Sequence, residues 1–279
     1  MIPITVSVVI PSYGKPDRLD RCLLALAQQH VTPFEVLVAD DGDPDPWEPK
    51  QLCDQYGARW VPGERTLLDG RPHPNVGAAV NRGVAEARGD IVLVIQRDHV
   101  LMPDYIGRLG SRYYPGRIVC GLTERRPVVP TQHWVRELTS YCHRPDGEVR
   151  FDGLTATDAF VAPFRTWTLA DGFDFAADRA NWVPMSEDPV VYYHCQQEWT
   201  LRMAVNGYRL YVDPLLRLWH FGEDNPPTPE INAAVERSQQ TVMASFAAPE
   251  ALEYGWHLVP TRLVVNGEVR LTLIPSPRI

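Results

Sequence analysis

GDIVLVIQRDHVL, residues 89–101, decides how the chain is read. Residues 90–95 supply a nearly unbroken apolar run, and then Gln96, Arg97, Asp98 and His99 arrive together. A run this continuous suits a strand buried on both faces, as in a parallel sheet covered by helices. Polar groups where such a strand stops fall on the carboxyl edge of the sheet, where open α/β sheets bind ligands. Three readings of the quartet are open: a metal and phosphate site, a loop that is merely charged, or the remains of a site that has lost its metal.

The flanking sequence alternates strand and helix. Residues 4–10 (ITVSVVI) read as a buried strand, with PSYGK as the turn after it. Residues 16–29 read as a helix, because Leu19, Cys22, Leu23, Leu26 and Ala27 recur at helical spacing behind Pro16. Residues 34–39 (FEVLVA) form a second predicted strand, ending in Asp40-Asp41-Gly42. A Pro-rich loop then leads to a short helix ending near Gly57 and a third strand over 58–61. Residues 62–75 read as a long Gly/Pro-rich loop, and 76–88 as a helix closed by Gly89. This alternation predicts an α/β fold with a mostly parallel central sheet and helices on both faces. Right-handed crossovers would bring residues 11–13, 40–41 and 96–99 to one crevice.

The second half is less regular. Strands are expected at 118–123, 157–163 and 208–212, and helices at 132–140, 196–206 and 230–246. Residues 172–195 read as an irregular loop. The tail, RLVVNGEVRLTLI, reads as a β-hairpin turning at Asn266-Gly267. No repeat, low-complexity tract or clear linker is present.

Composition narrows the class. The chain has 279 residues, 44% hydrophobic and 22% charged, enough to bury a sizeable core. A net charge of −8 argues against a general nucleic-acid binder, although a local basic groove stays open. Cys22, Cys53, Cys120, Cys142 and Cys195 are widely spaced, and their odd number without a CxxC pair points to buried thiols in a reduced, cytoplasmic protein. The N-terminus has no basic region or small-residue cleavage site, so no signal peptide is expected. No stretch approaches the roughly 18 apolar residues of a membrane span.

SVVIPSYGK, VLVADDG, NVGAAVNRGVAEARGDIVLVIQRDHVL, LADGFDF and QEWTLRMAVNGYRLYVDP together closely resemble the landmarks of inverting family 2 glycosyltransferases with the GT-A fold, a Rossmann-like α/β architecture. The resemblance covers about residues 4–220 in order and spacing. It implies a GT-A domain over 1–222, with a nucleotide-binding half at about 1–101 and an acceptor half at about 102–222. Residues 223–279 would form a C-terminal extension of helix and β-hairpin.

The resemblance also implies a nucleotide-diphospho-sugar donor. Pro11 and Tyr13 would border the base, and Asp40 and Asp41 would contact base and ribose. Elementary chemistry agrees, since an aromatic face stacks on a base and carboxylates accept from base N–H and ribose hydroxyls. Gly77, Asn81 and Arg82 match the family's loop and helix beside the donor. A helix N-terminus near residues 75–77 also favours diphosphate charge. Plainer readings stand beside these: Tyr13 and Asp40-Asp41-Gly42 as turn residues, Gly77 as packing, Arg82 as a solvated charge.

Most of the family carries Asp-x-Asp where this chain has Gln96-Arg97-Asp98. Asp98 matches the acid that binds the divalent cation, Gln96 can still bond a ribose hydroxyl, and Arg97 can contact phosphate directly. His220 falls where many members place a late histidine near the metal. With Asp98, and with His99 as a further candidate ligand, it would form a mixed oxygen and nitrogen shell for Mn²⁺ or Mg²⁺. Core packing of either histidine is the alternative.

An inverting transferase needs a carboxylate to take the acceptor hydroxyl's proton. The family places it in a Glu-Asp pair seven and six residues before an Arg, where this chain, counting from Arg202, has Cys195 and Gln196. Glu198 from a shifted position is the favoured base, Asp188 of the Glu187-Asp188 pair comes second, and an impaired site is the remaining account. Glu198 can equally be an i,i+4 partner of Arg202. Trp182, Trp199 and Trp219 are expected near the acceptor side, where an indole can stack on a sugar or simply fill core. The acceptor hydroxyl, on a glycan, a small molecule or a modified nucleic acid, is fixed by no motif, and neither is oligomeric state. The rival classes are a catalytically impaired nucleotide- or carbohydrate-binding GT-A protein, a sugar-phosphate nucleotidyltransferase, and a glycosyltransferase acting on modified DNA bases.

Overall fold

The apolar runs of the first hundred residues become strands in the computed structural model, which describes residues 5–31, 34–125, 160–161, 174–221, 228–246, 256–265 and 268–277. In chain order the first elements are β1 (Val6–Ser12), α1 (Pro16–Ala27), β2 (Phe34–Asp40), α2 (Trp47–Tyr56) and β3 (Arg59–Val61). β1 pairs parallel with β2, and β2 with β3. α1 opens on Pro16 and buries Leu19, Cys22, Leu23 and Leu26, the stripe that its spacing predicts.

The long loop expected over 62–75 instead carries a small hairpin, β4 (Thr66–Leu68) and β5 (Arg71–His73), in antiparallel pairing. Its turn is Asp69-Gly70, with φ of 52° and 73°. Positive φ at both central residues is the turn that matches strand twist in a two-residue hairpin, and Asp-Gly tolerates it. α3 (Val76–Glu86) follows, and β6 (Ile91–Val94) returns parallel to β1.

The remaining elements are β7 (His99–Leu101), α4 (Tyr105–Arg112), β8 (Arg117–Arg125), β9 (Phe160–Val161), β10 (Phe175–Asp178), a 3₁₀ segment at Pro189–His194, α5 (Cys195–Val205), β11 (Arg209–His220), α6 (Pro229–Phe246), β12 (Trp256–Val265) and β13 (Glu268–Pro277). The main sheet runs β3-β2-β1-β6-β10-β8-β11-β7, with β9 on β11. The region expected as an irregular loop over 172–195 thus contributes β10, which lies antiparallel between β6 and β8. Its four residues are a strand because two neighbours pair with them, which no local pattern could announce.

β11 is also longer than the predicted 208–212. It runs parallel to β8, shifts register between Val212 and Arg217, and continues antiparallel to β7. That last pairing sets His220 opposite His99. Alternate residues of the central strands feed opposite faces of the sheet. Val9, Leu37, Val92 and Val94 join Ala79, Val80, Trp199 and Met203 on one side. Val8, Ile10, Val38 and Leu93 join Leu19, Leu23, Ile106 and Leu109 on the other.

Cys22, Cys53, Cys120 and Cys195 are buried free thiols, as expected; Cys142 lies outside the described residues. So do the helix expected over 132–140 and most of the strand expected over 157–163. β12 and β13 pair along their whole length, ending at Val265 opposite Glu268, on either side of the predicted turn. Among the described residues no helix is long and apolar enough to cross a membrane.

Candidate functional site

Because β1, β2 and β6 are parallel neighbours, their carboxyl ends share one edge. Pro11 is buried within β1 opposite Ala39, and Tyr13 stands half-buried just beyond the strand. Past β2, the Asp41 N–H still donates to Ser12 O at 2.9 Å. The Asp41 carboxylate is only 3% exposed, and both its oxygens take the Asn75 N–H, at 2.8 and 2.9 Å. Burial pushes its pKa up to about 6, against that hydrogen bond and the nearby charges of Arg82 and Arg97. Asp40 is buried beside it, accepts from Asp43 N at 2.9 Å, and is also raised, chiefly by burial. Arg82 is no solvated charge: its Nη2 donates to Asp40 O at 2.6 Å, tying α3 to the end of β2.

The segment 185–188 lies across the start of α3. Asn81 Oδ1 accepts from Met185 N at 2.8 Å, while its Nδ2 donates to Met185 O at 3.0 Å and Glu187 Oε1 at 2.8 Å. Asn75 caps the helix, its Oδ1 accepting from Ala78 N at 3.1 Å, and its Nδ2 donates to Glu187 O at 2.8 Å. A Cβ on Gly77 would fall 2.0 Å from Ser186 O, so only glycine admits this approach. Asn81 and Gly77, expected at the donor, therefore clamp this segment onto the helix that leads away from Asp41.

Arg97 stands between two acids, its charge acting on both Asp41 and Asp98, and its buried Nε has no hydrogen-bond partner among the described residues. Gln96 is half-buried, and its carbonyl accepts from His99 N at 3.1 Å. Asp98 Oδ2 faces Arg18 Nη1 at 3.2 Å and His220 Nε2 at 3.4 Å. Among the described residues its Oδ1 is buried without a partner, as is His220 Nδ1. Burial alone would raise Asp98, but the hydrogen bond from His220 and the surrounding charges, Arg97's among them, hold it well below the usual carboxylate range.

Asp98, His99 and His220 each offer a ligand atom within 4.8 Å of the others. The two imidazoles meet edge-on, with centroids 5.0 Å apart. His99, however, is fully buried, and its Nδ1 accepts from Gln96 N at 3.3 Å. The neutral ring then carries its proton on Nε2, which cannot ligate in that tautomer. Burial, assisted by His220, lowers its pKa to about 3, so neutral is its state near pH 7. The donor set that fits a divalent cation is therefore Asp98 with His220, one hard oxygen and one imidazole; His99 Nε2 also lacks a partner among the described residues, but in this tautomer it carries the proton.

Around the expected base, the carboxylates separate. Glu198 is 4% exposed, and its Oε1 takes Arg202 Nε at 3.1 Å as well as Arg202 Nη2, while Oε2 is buried without a partner among the described residues. Asp188 is exposed; its Oδ1 accepts from Val190 N at 2.9 Å, and its second oxygen makes no hydrogen bond among the described residues. Cys195 and Gln196 are buried at the start of α5. Burial first, and then the charges of Glu198 and Asp41, push the Cys195 thiol up to about 12, so it is no thiolate.

Trp199 is fully buried against Phe175 and Trp182, at 4.5 and 4.6 Å between centroids, and Trp219 is buried among Leu24, Val100 and Phe221. Both are core residues and not sugar platforms; Trp182 is half-buried on the same stack. Sequence reasoning missed Arg18, for which no motif gives a signal, and Tyr192. Tyr192 feels the charges of Arg97 and Asp41 and meets His73 edge-on at 5.4 Å. The aromatic pair in PVVYYH was its only trace.

The sheet order and the acids gathered at its carboxyl edge define the GT-A class of α/β protein. The chain belongs to the family described as Glycosyl transferase family 2, whose sequence profile matches residues 7–170, more than half of its length. It is 24% identical over 182 residues to chondroitin synthase of Pasteurella multocida, which is 63% of this chain and 18% of that one. The chain spans well under half the length of the curated relatives it matches. Among solved structures, residues 1–349 of Staphylococcus aureus TarS in complex with UDP-GlcNAc superpose with a TM-score of 0.60 at 14% identity, covering 90% of this chain and 69% of that one. Glucosyl-3-phosphoglycerate synthase from Mycobacterium tuberculosis, in complex with Mn²⁺, UDP and glucosyl-3-phosphoglycerate, gives 0.53 at 17% identity, covering 98% and 90%.

Proposed function

We propose that the protein transfers a sugar from a nucleotide-diphosphate donor to an acceptor hydroxyl, with inversion and with a divalent cation at Asp98 and His220. The observation that carries this is the convergence of Asp41, Arg97, Asp98 and His220 at one sheet edge in a family 2 chain. The complexes of TarS with UDP-GlcNAc and of the mycobacterial synthase with UDP and Mn²⁺ support the donor class. Asp41, with Asp40 behind it, would accept from the base or ribose, Gln96 would reach a ribose hydroxyl, and Tyr13 would border the base with Pro11 below. Arg97, with an unused Nε, would meet the diphosphate.

A cation held by Asp98 and His220 would neutralise charge on the leaving diphosphate, and imidazole favours Mn²⁺ over Mg²⁺. Asp188 is the better base. It is exposed on the segment clamped beside Asp41, whereas Glu198 is buried and committed to Arg202. As the acceptor oxygen bonds to the anomeric carbon, the bond to the diphosphate breaks on the opposite face and the hydroxyl proton passes to Asp188. The second reading, a binding protein with an impaired centre, rests on the buried Cys195 and Gln196 at the family's base positions.

Thermal unfolding with UDP, GDP, dTDP and CDP and their sugars, each with and without Mn²⁺, tests the donor site. A ligand at a hundred times its dissociation constant stabilises by about 2.7 kcal/mol. Stabilisation by one nucleotide that needs Mn²⁺ and is lost in Asp98→Ala is expected; no stabilisation by any of them removes the reading. Hydrolysis of the stabilising nucleotide sugar then separates the bases. Asp188→Asn should lose roughly a hundredfold or more, and Glu198→Gln much less.

A further inference from the structure

Arg18 sits in the first turn of α1, is 8% exposed, and places Nη1 3.2 Å from Asp98 Oδ2. The rest of the buried face of α1 is apolar, with Leu19, Cys22, Leu23 and Leu26 packed on the sheet. Packing therefore does not call for a guanidinium here, and burying one is unfavourable unless it meets a partner. One partner it meets is Asp98, the carboxylate of the candidate cation centre. Across the strand end, Arg97 brings a second fixed positive charge, while Gln96 brings no charge to offset it.

We propose, resting on the donor reading above, that Arg18 is an electrostatic gate on the Asp98–His220 centre. It occupies one oxygen of Asp98, opposes a lone divalent cation, and permits tight cation retention only when a diphosphate brings its own negative charge. Guanidinium charge persists at every working pH, so the opposition is constant. The pair is buried and salt screens it little. The orphaned Oδ1 of Asp98 remains available, which is why Arg18 tunes the centre without blocking it. Arg18 is a positioning residue in this account: it touches Asp98 and not the donor.

Equilibrium dialysis of Mn²⁺ against the full chain tests the proposal, with Mn²⁺ alone and with UDP, GDP, CDP or dTDP. Wild type should retain Mn²⁺ at least tenfold more tightly with one of the nucleotides than without. Arg18→Gln should tighten binding of Mn²⁺ alone by about tenfold or more, the scale of removing one positive charge from contact range of a dication. Arg18→Lys, which keeps the charge, should stay near wild type. Arg18→Met repeats the test should the Gln variant not fold. An unchanged or weakened affinity for Mn²⁺ alone in both neutral variants overturns the gate. Nucleotide-dependent retention that persists beside that outcome leaves the transferase reading standing. No gain with any nucleotide removes that reading and the gate together.

Discussion

Replacing Asp41 by Asn should stabilise the protein at neutral pH and lose that advantage in acid. The residue is 3% exposed, and its one donor among the described residues is the Asn75 N–H, which both oxygens share. Burial lifts its pKa from 3.8 to about 6. A folded-state value above the unfolded one means that the native state holds more protons between about pH 4 and pH 6, so stability falls as pH rises through that window. The deficit is complete above pH 6 and corresponds to ~3 kcal/mol, at 1.36 kcal/mol per pKa unit. Asn cannot ionise, so it escapes the deficit. Whatever its amide gains or loses in packing is independent of pH and cancels in the difference. Guanidinium unfolding of wild type and Asp41→Asn at pH 4.5, 5.5 and 7.5 measures it. The stability gap, variant minus wild type, should grow by ~2 kcal/mol from pH 4.5 to pH 7.5, because about a third of the deficit has already developed at pH 4.5. A gap that is flat with pH, or that widens toward acid, refutes the reasoning. Asp40 is raised as well, so the two acids titrate as a pair and the rise will be broader than a single-site curve.

The same carboxylate sets a pH dependence on binding. A nucleotide that donates to ionised Asp41 should bind about fivefold more weakly at pH 5 than at pH 6, and calorimetry in two buffers of different ionisation enthalpy should detect proton release. Asn81→Ala removes both bonds to the Met185 backbone and the one to Glu187; it should cost ~1–3 kcal/mol and speed amide exchange at residues 185–188 ahead of the central strands. Gly77→Ala drives a Cβ to 2.0 Å from Ser186 O, so it should displace the same segment at a cost of ~1–3 kcal/mol. Because both changes release one clamp, a urea series on the double variant should show much less than the sum of the single effects.

What the sequence made legible follows from where each element's stability comes from. β1, β2 and β6 carry largely apolar runs, and α1 and α3 carry a helical stripe, so local pattern and tertiary role coincide. The crevice followed, because parallel strands in right-handed units must end together. β4 and β5 were legible in principle, since Leu-Asp-Gly-Arg holds the Asp-Gly turn signal inside what reads as a Pro-rich loop. β10 was not, because Phe-Ala-Ala-Asp becomes a strand only between β6 and β8.

The site divides in the same way. Asp41 and Asp98 sit at strand ends, where position along the chain nearly fixes position in space. Glu198 and Asp188 are ten residues apart on different local frames, and the outcome depended on which one the fold would bury. The hydrogen bonds of Arg202 to Glu198 decided that, and they depend on the rotation of α5 against the sheet. Arg18 is the extreme case. A helix arginine reads as a surface charge in any one-dimensional pattern, and only the packing of α1 beside β7 brings it to Asp98. The pairing of β11 with β7 brings His220 to the same oxygen from the other side of the chain. Residue type announces the charge that a position can bring. The charge that it will face is set by strand register and helix rotation, both tertiary quantities, and that is why the cation centre could be sketched from motifs while the residue that tunes it could not.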